Sequence, residues 1–404
     1  MNNEVKNVPS LRFPGFTDEW KTVKLGDIAK FSKGAGIPKA DINQDGDREA
    51  IRYGELYTTY GEVVTNVHSK VVSKPSDILS DANDVLIPSS GETAIDISTA
   101  TYVGKSGVAI GGDLNIVKTD ENGKFLSYYF NHKKRIDIAK LAQGVSVVHL
   151  YGSDLKTLKV NLPSEEEQEK IADFFTAVDE RIELASLKVE KLETYKRGLT
   201  QKIFTRTLRF KRDDGSDFPD WVDERMRCVV KKNSLRNRDG LIKHVESVSN
   251  KHGFVRQEDY FSDRSVASQD TSNYFVIKQG MFAYNPSRIN VGSLAYKFDS
   301  QTSIVSPLYV SFSAEKNKLT DLFLLNWFFT EDFIRQRDRS FEGSVRDTLS
   351  FESLGRMRIM LPCLEEQQKI ATFLSQIDEK ITLETGKLEE LKKFKKALLQ
   401  RMFA

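Results

Sequence analysis

Along two stretches of the chain, apolar side chains recur at alternating steps of four and three. The first stretch runs Ile171, Phe175, Val178, Ile182, Ala185, Val189, Leu192, Leu199 and Ile203, with Lys196 interrupting. The second runs Ile370, Leu374, Ile377, Ile381, Leu388, Leu391, Leu398 and Met402, with Glu384 and Lys395 interrupting. A 3.5-residue repeat sustained over several heptads, with charges beside it, is the seam of a coiled coil. It predicts two long helices that pair through Ile182, Val189, Leu192 and Leu199 on one side and Ile381, Leu388, Leu391 and Leu398 on the other. Each helix starts behind Leu-Pro. In the first, Ser164 is placed to cap, and Glu165, Glu166 and Glu167 fill the first turn, where negative charge suits the helix dipole.

The two helices are copies of one another. Leu162–Thr205 aligns without a gap on Leu361–Ala404 at a constant shift of 199 residues, with about 20 of 44 positions identical. At the same shift Gly144, Leu150, Leu155 and Val160 fall on Gly343, Leu349, Leu354 and Ile359. Leu11-Arg12-Phe13 with Trp20 likewise matches Leu208-Arg209-Phe210 with Trp221. The chain is therefore a tandem duplication in which a globular module precedes each helix, and a period this long means duplicated domains rather than a solenoid. Four regions result: modules over 1–160 and 207–360, helical regions over 161–206 and 361–404. A helix of about 40 residues is a rod of roughly 60 Å, whereas a module of about 154 residues has a radius of gyration of only roughly 15 Å. The second module joins the end of one helix to the start of the next and cannot readily span such a rod. The helices are accordingly expected to run antiparallel, with a pseudo-two-fold axis relating the halves.

Within the modules, β-branched and aromatic runs predict strands at Asp84–Pro88 and Leu114–Val117, and at Met281–Tyr284 and Leu308–Phe312. Helix-like runs follow at Phe125–Ala142 and Phe323–Arg337, and a last strand enters each Leu-Pro. The fold class expected is mixed α/β (α+β), two globular modules alternating with two long paired helices. Shared helices beside diverged modules imply one assembly task and two binding specificities.

Composition narrows the function classes. The chain of 404 residues has 39% hydrophobic and 29% charged residues, the values of an ordinary globular protein too long for one core. No run approaches the roughly 18–20 apolar residues of a membrane span, and Met1–Ser10 lacks the pattern of a secretory signal, so a cytoplasmic protein with no membrane partner is expected. Cys228 and Cys363 stand apart without CxxC or Cys/His spacing, and the five histidines show no HExxH, so neither a disulfide nor a metal site is predicted. A net charge of +2 carries no strong field, although the second module is Arg-rich, with about 24 basic and 21 acidic residues against about 20 and 20 in the first. Catalytic motifs fail one by one. Thr99–Ser106 (TATYVGKS) ends like a phosphate loop but has Thr99 where the first glycine belongs, and Gly34-Ala35-Gly36 lacks a third glycine and reads as a turn. Tyr284-Asn285-Pro286-Ser287 lacks the second proline and aromatic of an amino-methylating motif. Pro219-Asp220 with Glu224-Arg225 lacks the Glu-x-Lys of a nuclease. No catalytic, cofactor-binding or metal residue is assigned.

The LRFPGF opening (Leu11–Phe16), the LPxxxEQxKI helix starts at Leu162 and Leu361, and the segments IPSSGET (Ile87–Thr93), IGGDLNIV (Ile110–Val117), YNPSRINVGS (Tyr284–Ser293) and IVSPLYV (Ile304–Val310) carry a likeness. Over essentially its full length the chain resembles the specificity subunit of type I restriction-modification enzymes, departing from it in the longer Lys211–Asp217 insertion. The resemblance implies that each module is a target-recognition domain for one half of a split double-stranded DNA site. It implies that the helices position two methyltransferase subunits, which bring S-adenosylmethionine and methylate adenine, and that restriction subunits using ATP and Mg join them. The chain itself would hold no cofactor and would not be an enzyme. Candidate DNA contacts are Tyr53, Tyr57, Thr58, Thr59 and Tyr60, an aromatic and hydroxyl cluster that competes with a hairpin-strand reading. Ser89, Ser90, Glu92 and Thr93 follow a strand, and Glu accepts from a cytosine amino group. Asn285, Ser287, Arg288 and Asn290 complete the set, since Asn suits adenine and Arg guanine. A different class of function, a non-catalytic coiled-coil scaffold that joins proteins without touching DNA, fits the same helices.

Overall fold

The computed structural model describes residues 8–250, 252–257, 270–341 and 348–403. It divides into two compact units, Met1–Ser186 with Thr385–Ala404, and Leu187–Glu384. Each unit therefore holds one module and a segment of both long helices, which span Glu165–Phe204 and Leu364–Met402.

In the first unit the main sheet has the order Ala29–Lys33, Leu114–Thr119, Asp84–Pro88, Thr101–Val103, Val63–Val64. All neighbours are antiparallel except the last pair. The strand Asp84–Pro88 is buried at every position, which is why Val85, Leu86 and Ile87 read as a continuous apolar run. A helical stretch from Gly123 to Lys140, widened by one π-type turn at Phe130–Lys134, packs on this sheet through Phe125, Tyr128 and Tyr129. The second unit repeats the order with four strands, Val230–Lys232, Val310–Ala314, Met281–Tyr284 and Leu294–Tyr296. In both modules a first strand pairs antiparallel with the last, Lys21–Lys24 with Lys159–Leu162 and Val222–Arg225 with Arg358–Leu361. The two ends of each module thus meet where a long helix begins.

Two expected elements differ in the structure, and around Tyr53–Tyr60 the alternative of a hairpin strand drops out. The run Leu308–Phe312 becomes a strand only at Val310, because Pro307 lies in a turn closed by Tyr309 N donating to Ser306 O. Phe323–Arg337 is two helices, Asp321–Trp327 and Glu331–Phe341; Thr330 Oγ1 accepts from Phe333 N at 3.2 Å and starts the second. Around Tyr53–Tyr60 the chain forms a short helix, Glu55–Thr58, and not a hairpin strand.

The repeated motifs have structural reasons. Glu167 and Glu366, three residues after the cap position of each helix, are fully buried. Arg12 clasps Glu167 with Nε and Nη2 at 2.6 and 2.7 Å, and Arg209 reaches Glu366 at 3.3 and 3.0 Å. Gln168 and Gln367 each donate to the carbonyl of the proline before the helix and accept a backbone N–H from their module, Asn122 N and Thr320 N. The LRF openings and the LPxxxEQ starts therefore lock modules onto helices. Phe13 and Phe210 add edge contacts to Phe174 and Phe373 at 5.6 and 5.4 Å.

Each unit also brings the helices together. In the first, Phe175 stacks on Phe403 at 5.8 Å, and Lys395, near the end of the second helix, bonds Asp179 at 2.7 Å and Glu62 at 3.1 Å. In the second, Ile203 shares a core with Ile370 and Leu374, Lys196 bonds Asp378 at 2.6 Å, and Lys188 bonds Glu384 at 3.0 Å. The charged interruptions Lys196, Glu384 and Lys395 are thus each ion-paired to a residue of the other long helix. Leu388 is buried and Ile182, Val189, Leu192, Leu199, Ile381, Leu391 and Leu398 are half-buried, while the off-seam Leu184, Leu187, Tyr195, Leu383 and Phe394 are exposed.

Candidate nucleic-acid interface

In the first module the candidates gather where the strand Asp84–Pro88 runs out. Ser89 is buried; its N–H donates to Asp113 O at 2.9 Å and its carbonyl accepts from Leu150 N at 3.0 Å. The next residue, Ser90, pairs with His149, and Tyr57 Oη donates to Ser90 O at 3.4 Å. Tyr53 meets Tyr57 edge-on at 6.3 Å. Two clusters separated by some thirty residues of sequence therefore form one edge, on which Tyr53, Tyr57 and Glu92 are exposed and Ser90 is half-buried. Burial raises the Tyr57 hydroxyl well above its usual range, so it stays a neutral donor.

Other candidates are occupied by local structure. Tyr60 Oη accepts from His68 N at 3.0 Å, and Thr58 Oγ1 donates to Gly54 O at 3.1 Å. Thr93 caps the short helix Ala94–Ile97, and Thr59 lies beside Thr58 at 3.2 Å between hydroxyls.

In the second module the loop between Met281–Tyr284 and Leu294–Tyr296 carries its candidates. Asn285 Oδ1 accepts from Ser287 N at 3.1 Å, Asn285 N donates to Ser293 O at 3.0 Å, and buried Ile289 anchors the turn. Gly292 closes it at φ 85°, where a Cβ is disfavoured. The arrangement holds Ser287, Arg288 and Asn290 exposed, and among the described residues no carboxylate pairs with Arg288. Pro286 O accepts from Leu349 N at 3.1 Å as Ser89 O does from Leu150 N. The two candidate loops hence occupy the same place in the two copies of the fold.

Several exposed neighbours give no signal in the sequence. His149 stacks on Tyr151 at 6.2 Å, with Lys33 Nζ 5.7 Å from the Tyr151 ring. Leu308 stands 80% exposed in the turn beside the second loop. Such residues become recognisable only through strand register, which brings them to one edge. In the phosphate-loop look-alike, Lys105 pairs with Glu49 at 2.7 Å and Ser106 Oγ accepts from Ala82 N, so both groups serve the fold. Among the described residues no cluster of three or more His, Cys, Asp or Glu is placed to hold a metal, and no helix is long and apolar enough to cross a membrane.

The family model for the type I restriction modification DNA specificity domain matches residues 17–194 and 240–393, most of the chain. The chain belongs to that family. This specificity protein is 24% identical over 418 aligned residues, covering 98% of this chain and 93% of the relative, to the type I restriction enzyme MjaVIII specificity subunit of Methanocaldococcus jannaschii. The MjaIX specificity subunit of the same organism is also 24% identical, over 72% of this chain and 71% of its own. In fold it is similar to the S subunit of a type I restriction-modification system from M. genitalium, with a TM-score of 0.60 at 15% identity over 98% and 99% of the two chains. A chain solved in work on complex assembly and conformational transition of the type I R-M system gives 0.53 at 16% identity over 97% and 99%.

Proposed function

We propose that the two modules of this non-catalytic specificity subunit each read one half of a split DNA target, and that the helices hold them at a fixed separation. The observation that carries the reading is the equivalent position of the two candidate loops, Ser89–Thr93 and Asn285–Asn290, beside different side chains. One scaffold thus presents two distinct chemistries. Tyr53, Tyr57, Ser90 and Glu92 serve the first half-site; Ser287, Arg288 and Asn290 serve the second. Ser89 and Asn285 hold the loops, and Thr58 and Tyr60 hold the short helix behind them.

The four regions 1–160, 161–206, 207–360 and 361–404 then act as reader, helix, reader and helix. The helices pair as an antiparallel coiled coil with pseudo-two-fold symmetry. In support, within the second unit the partner advances from Asp378 to Glu384 as the first helix recedes from Lys196 to Lys188. In the first unit, Lys395 and Phe403 meet Asp179 and Phe175 in the same sense. Exposed apolar side chains off the seam, Leu184 with Phe394 and Leu383 with Tyr195, lie at positions related by the repeat. They offer two like surfaces to two methyltransferase subunits, which bring S-adenosylmethionine; restriction subunits with ATP and Mg complete the complex in the cytoplasm.

The test is to map methylated adenines in DNA exposed to the chain with its methyltransferase partner, before and after exchanging residues 207–360 for the module of a relative. A bipartite site of which one half changes is expected. A folded chimera that alters both halves would sink the independent-reader reading, and methylation indifferent to the chain would favour the protein scaffold.

A further inference from the structure

We propose that Arg52 and Asp113 together read one G·C base pair of the first half-site, an inference that rests on the first module's being a DNA reader. Both side chains line a recess of about 450 Å3 beside the edge already described, together with Tyr53, Gly36, Gly111 and Gly112. Register explains their meeting. The strand Arg48–Ile51 runs parallel to Ala109–Ile110, with Ile51 opposite Ile110, and Gly111 N donates to Ile51 O at 2.8 Å. The residues that leave the two strands therefore emerge together, so that a Cβ on Gly111 would lie 3.3 Å from Arg52 Cα. Asp113 follows two positions later, and its carbonyl is tied to Ser89 N.

Neither charged group is used up by the fold. Arg52 is steered by one bond, Nε to Ile37 O at 3.1 Å, and its terminal amino groups bond no described residue. The exposed Asp113 carboxylate has no hydrogen bond or ion pair among the described residues, and no ion pair joins it to Arg52. Two opposite, unspent charges held in one recess ask for a ligand with adjacent acceptors and donor. In the major groove a guanine offers N7 and O6 as acceptors, and its paired cytosine offers the N4 amino donor next to them. Guanidinium and carboxylate match that row; an A·T pair would set the adenine amino group against Arg52 and the thymine O4 against Asp113. A phosphate is a poor match, because the Asp113 carboxylate in the same recess would repel it. The absence of side chains at Gly36, Gly111 and Gly112 lets a base edge come close to the main chain.

The test uses the full chain with its methyltransferase partner and a DNA library randomised in the first half-site, the second being fixed. The complex should require G·C at one position, by about 5- to 150-fold over other pairs. Arg52→Gln should relax that preference or move it toward adenine, and Asp113→Asn should relax the same position. All other positions of both half-sites should keep their preferences. Gly36→Val is a second route, since a Cβ there meets no atom within 4 Å and the backbone is not left-handed; it should fill the recess in a folded chain and remove discrimination at that position alone. Unchanged preference in the folded variants would overturn the inference. So would Arg52→Gln weakening all sequences alike while lowering the salt-dependence slope by about 0.9, the mark of a phosphate contact. A wild-type complex with no preference anywhere in the first half-site would instead overturn the reading of the module as a DNA reader.

Discussion

Lys395 and Lys196 occupy the same position in the two copies of the helix, but their surroundings differ, which makes them a matched pair for measuring what a seam charge contributes. Lys395 Nζ serves both Asp179 at 2.7 Å and Glu62 at 3.1 Å, with side chains 14%, 33% and 18% exposed. Lys196 serves Asp378, which is half exposed. Lys395→Met leaves two carboxylates close together in a largely buried site. Breaking a fully buried pair costs about 3–5 kcal/mol; residual exposure brings the expectation to roughly 2–3 kcal/mol. Lys196→Met should cost about 0–1 kcal/mol, as for an exposed pair. The pH dependence has a definite sign. Burial pushes the Glu62 carboxyl up, but the hydrogen bond from His132 and the charge of Lys395 outweigh it and bring it down to about 2. A carboxyl depressed in this way stabilises the fold above its unfolded pKa, roughly 4.3, and that contribution is lost as pH falls toward 2. Asp179 acts oppositely: burial raises it, beyond what Lys395 offsets, so its penalty is relieved by acid. Without Lys395 both carboxyls are destabilised as anions, and the gap between Lys395→Met and wild type should therefore narrow between about pH 7 and about pH 4. Two compact units make a single unfolding midpoint ill-defined, so the assay is native-state hydrogen exchange, read at amides of the first module for Lys395→Met and of the second for Lys196→Met. Equal costs for the two substitutions, or a gap that widens with acid, would refute the reasoning.

Arg12→Ala strands the buried Glu167 carboxylate and should destabilise the first unit by about 3–5 kcal/mol, with Glu167→Gln recovering much of it in the same background; exchange protection of both variants checks this, and failure of the second change to rescue would point to lost packing instead. Gly34→Ala would set a Cβ 2.1 Å from Gly111 O and should cost at least about 1–3 kcal/mol, whereas Gly36→Ala, facing open space, should stay within about 0.5 kcal/mol; exchange protection of amides in the first module distinguishes them. Inserting one heptad between Glu190 and Lys191 and another between Glu389 and Glu390 lengthens the rod by roughly 10 Å, so the unread gap between half-sites should grow by up to about three base pairs at about 3.4 Å each, read by methylation across a spacer library. An active variant with an unaltered gap would show that helix length does not set the spacing.

What was legible in the sequence is what obeys a local period or recurs. The heptads mark both helices because burial on one face leaves a 3.5-residue trace, and Asp84–Pro88 is legible because burial on both faces leaves the continuous apolar run Val85–Ile87 within it. The duplication shows that Arg12 and Glu167 matter, as their copies Arg209 and Glu366 do, but not that they touch, since they are 155 positions apart. Short elements were misread where one side chain decides: Thr330 ends a helix and begins another, and Pro307 delays a strand by two residues. The charged interruptions of the seam looked like defects because their partners lie across the fold, Lys196 with Asp378 and Lys395 with Glu62. The same reason hides the residues proposed as readers. Tyr57 and Ser90 were each singled out for their chemistry, yet nothing local joins them, and Arg52 and Asp113 carry no motif at all. Their meeting depends on the pairing of Ile51 with Ile110, a parallel contact between residues 59 apart. The proposed reading residues are therefore placed by strand register, which the sequence leaves implicit, while the scaffold is written in a repeat that can be read directly. If the proposed readers are right, a chain built this way can exchange them without disturbing the clasp of Arg12 on Glu167 or of Arg209 on Glu366, because none of these four residues lies on the proposed reading edge.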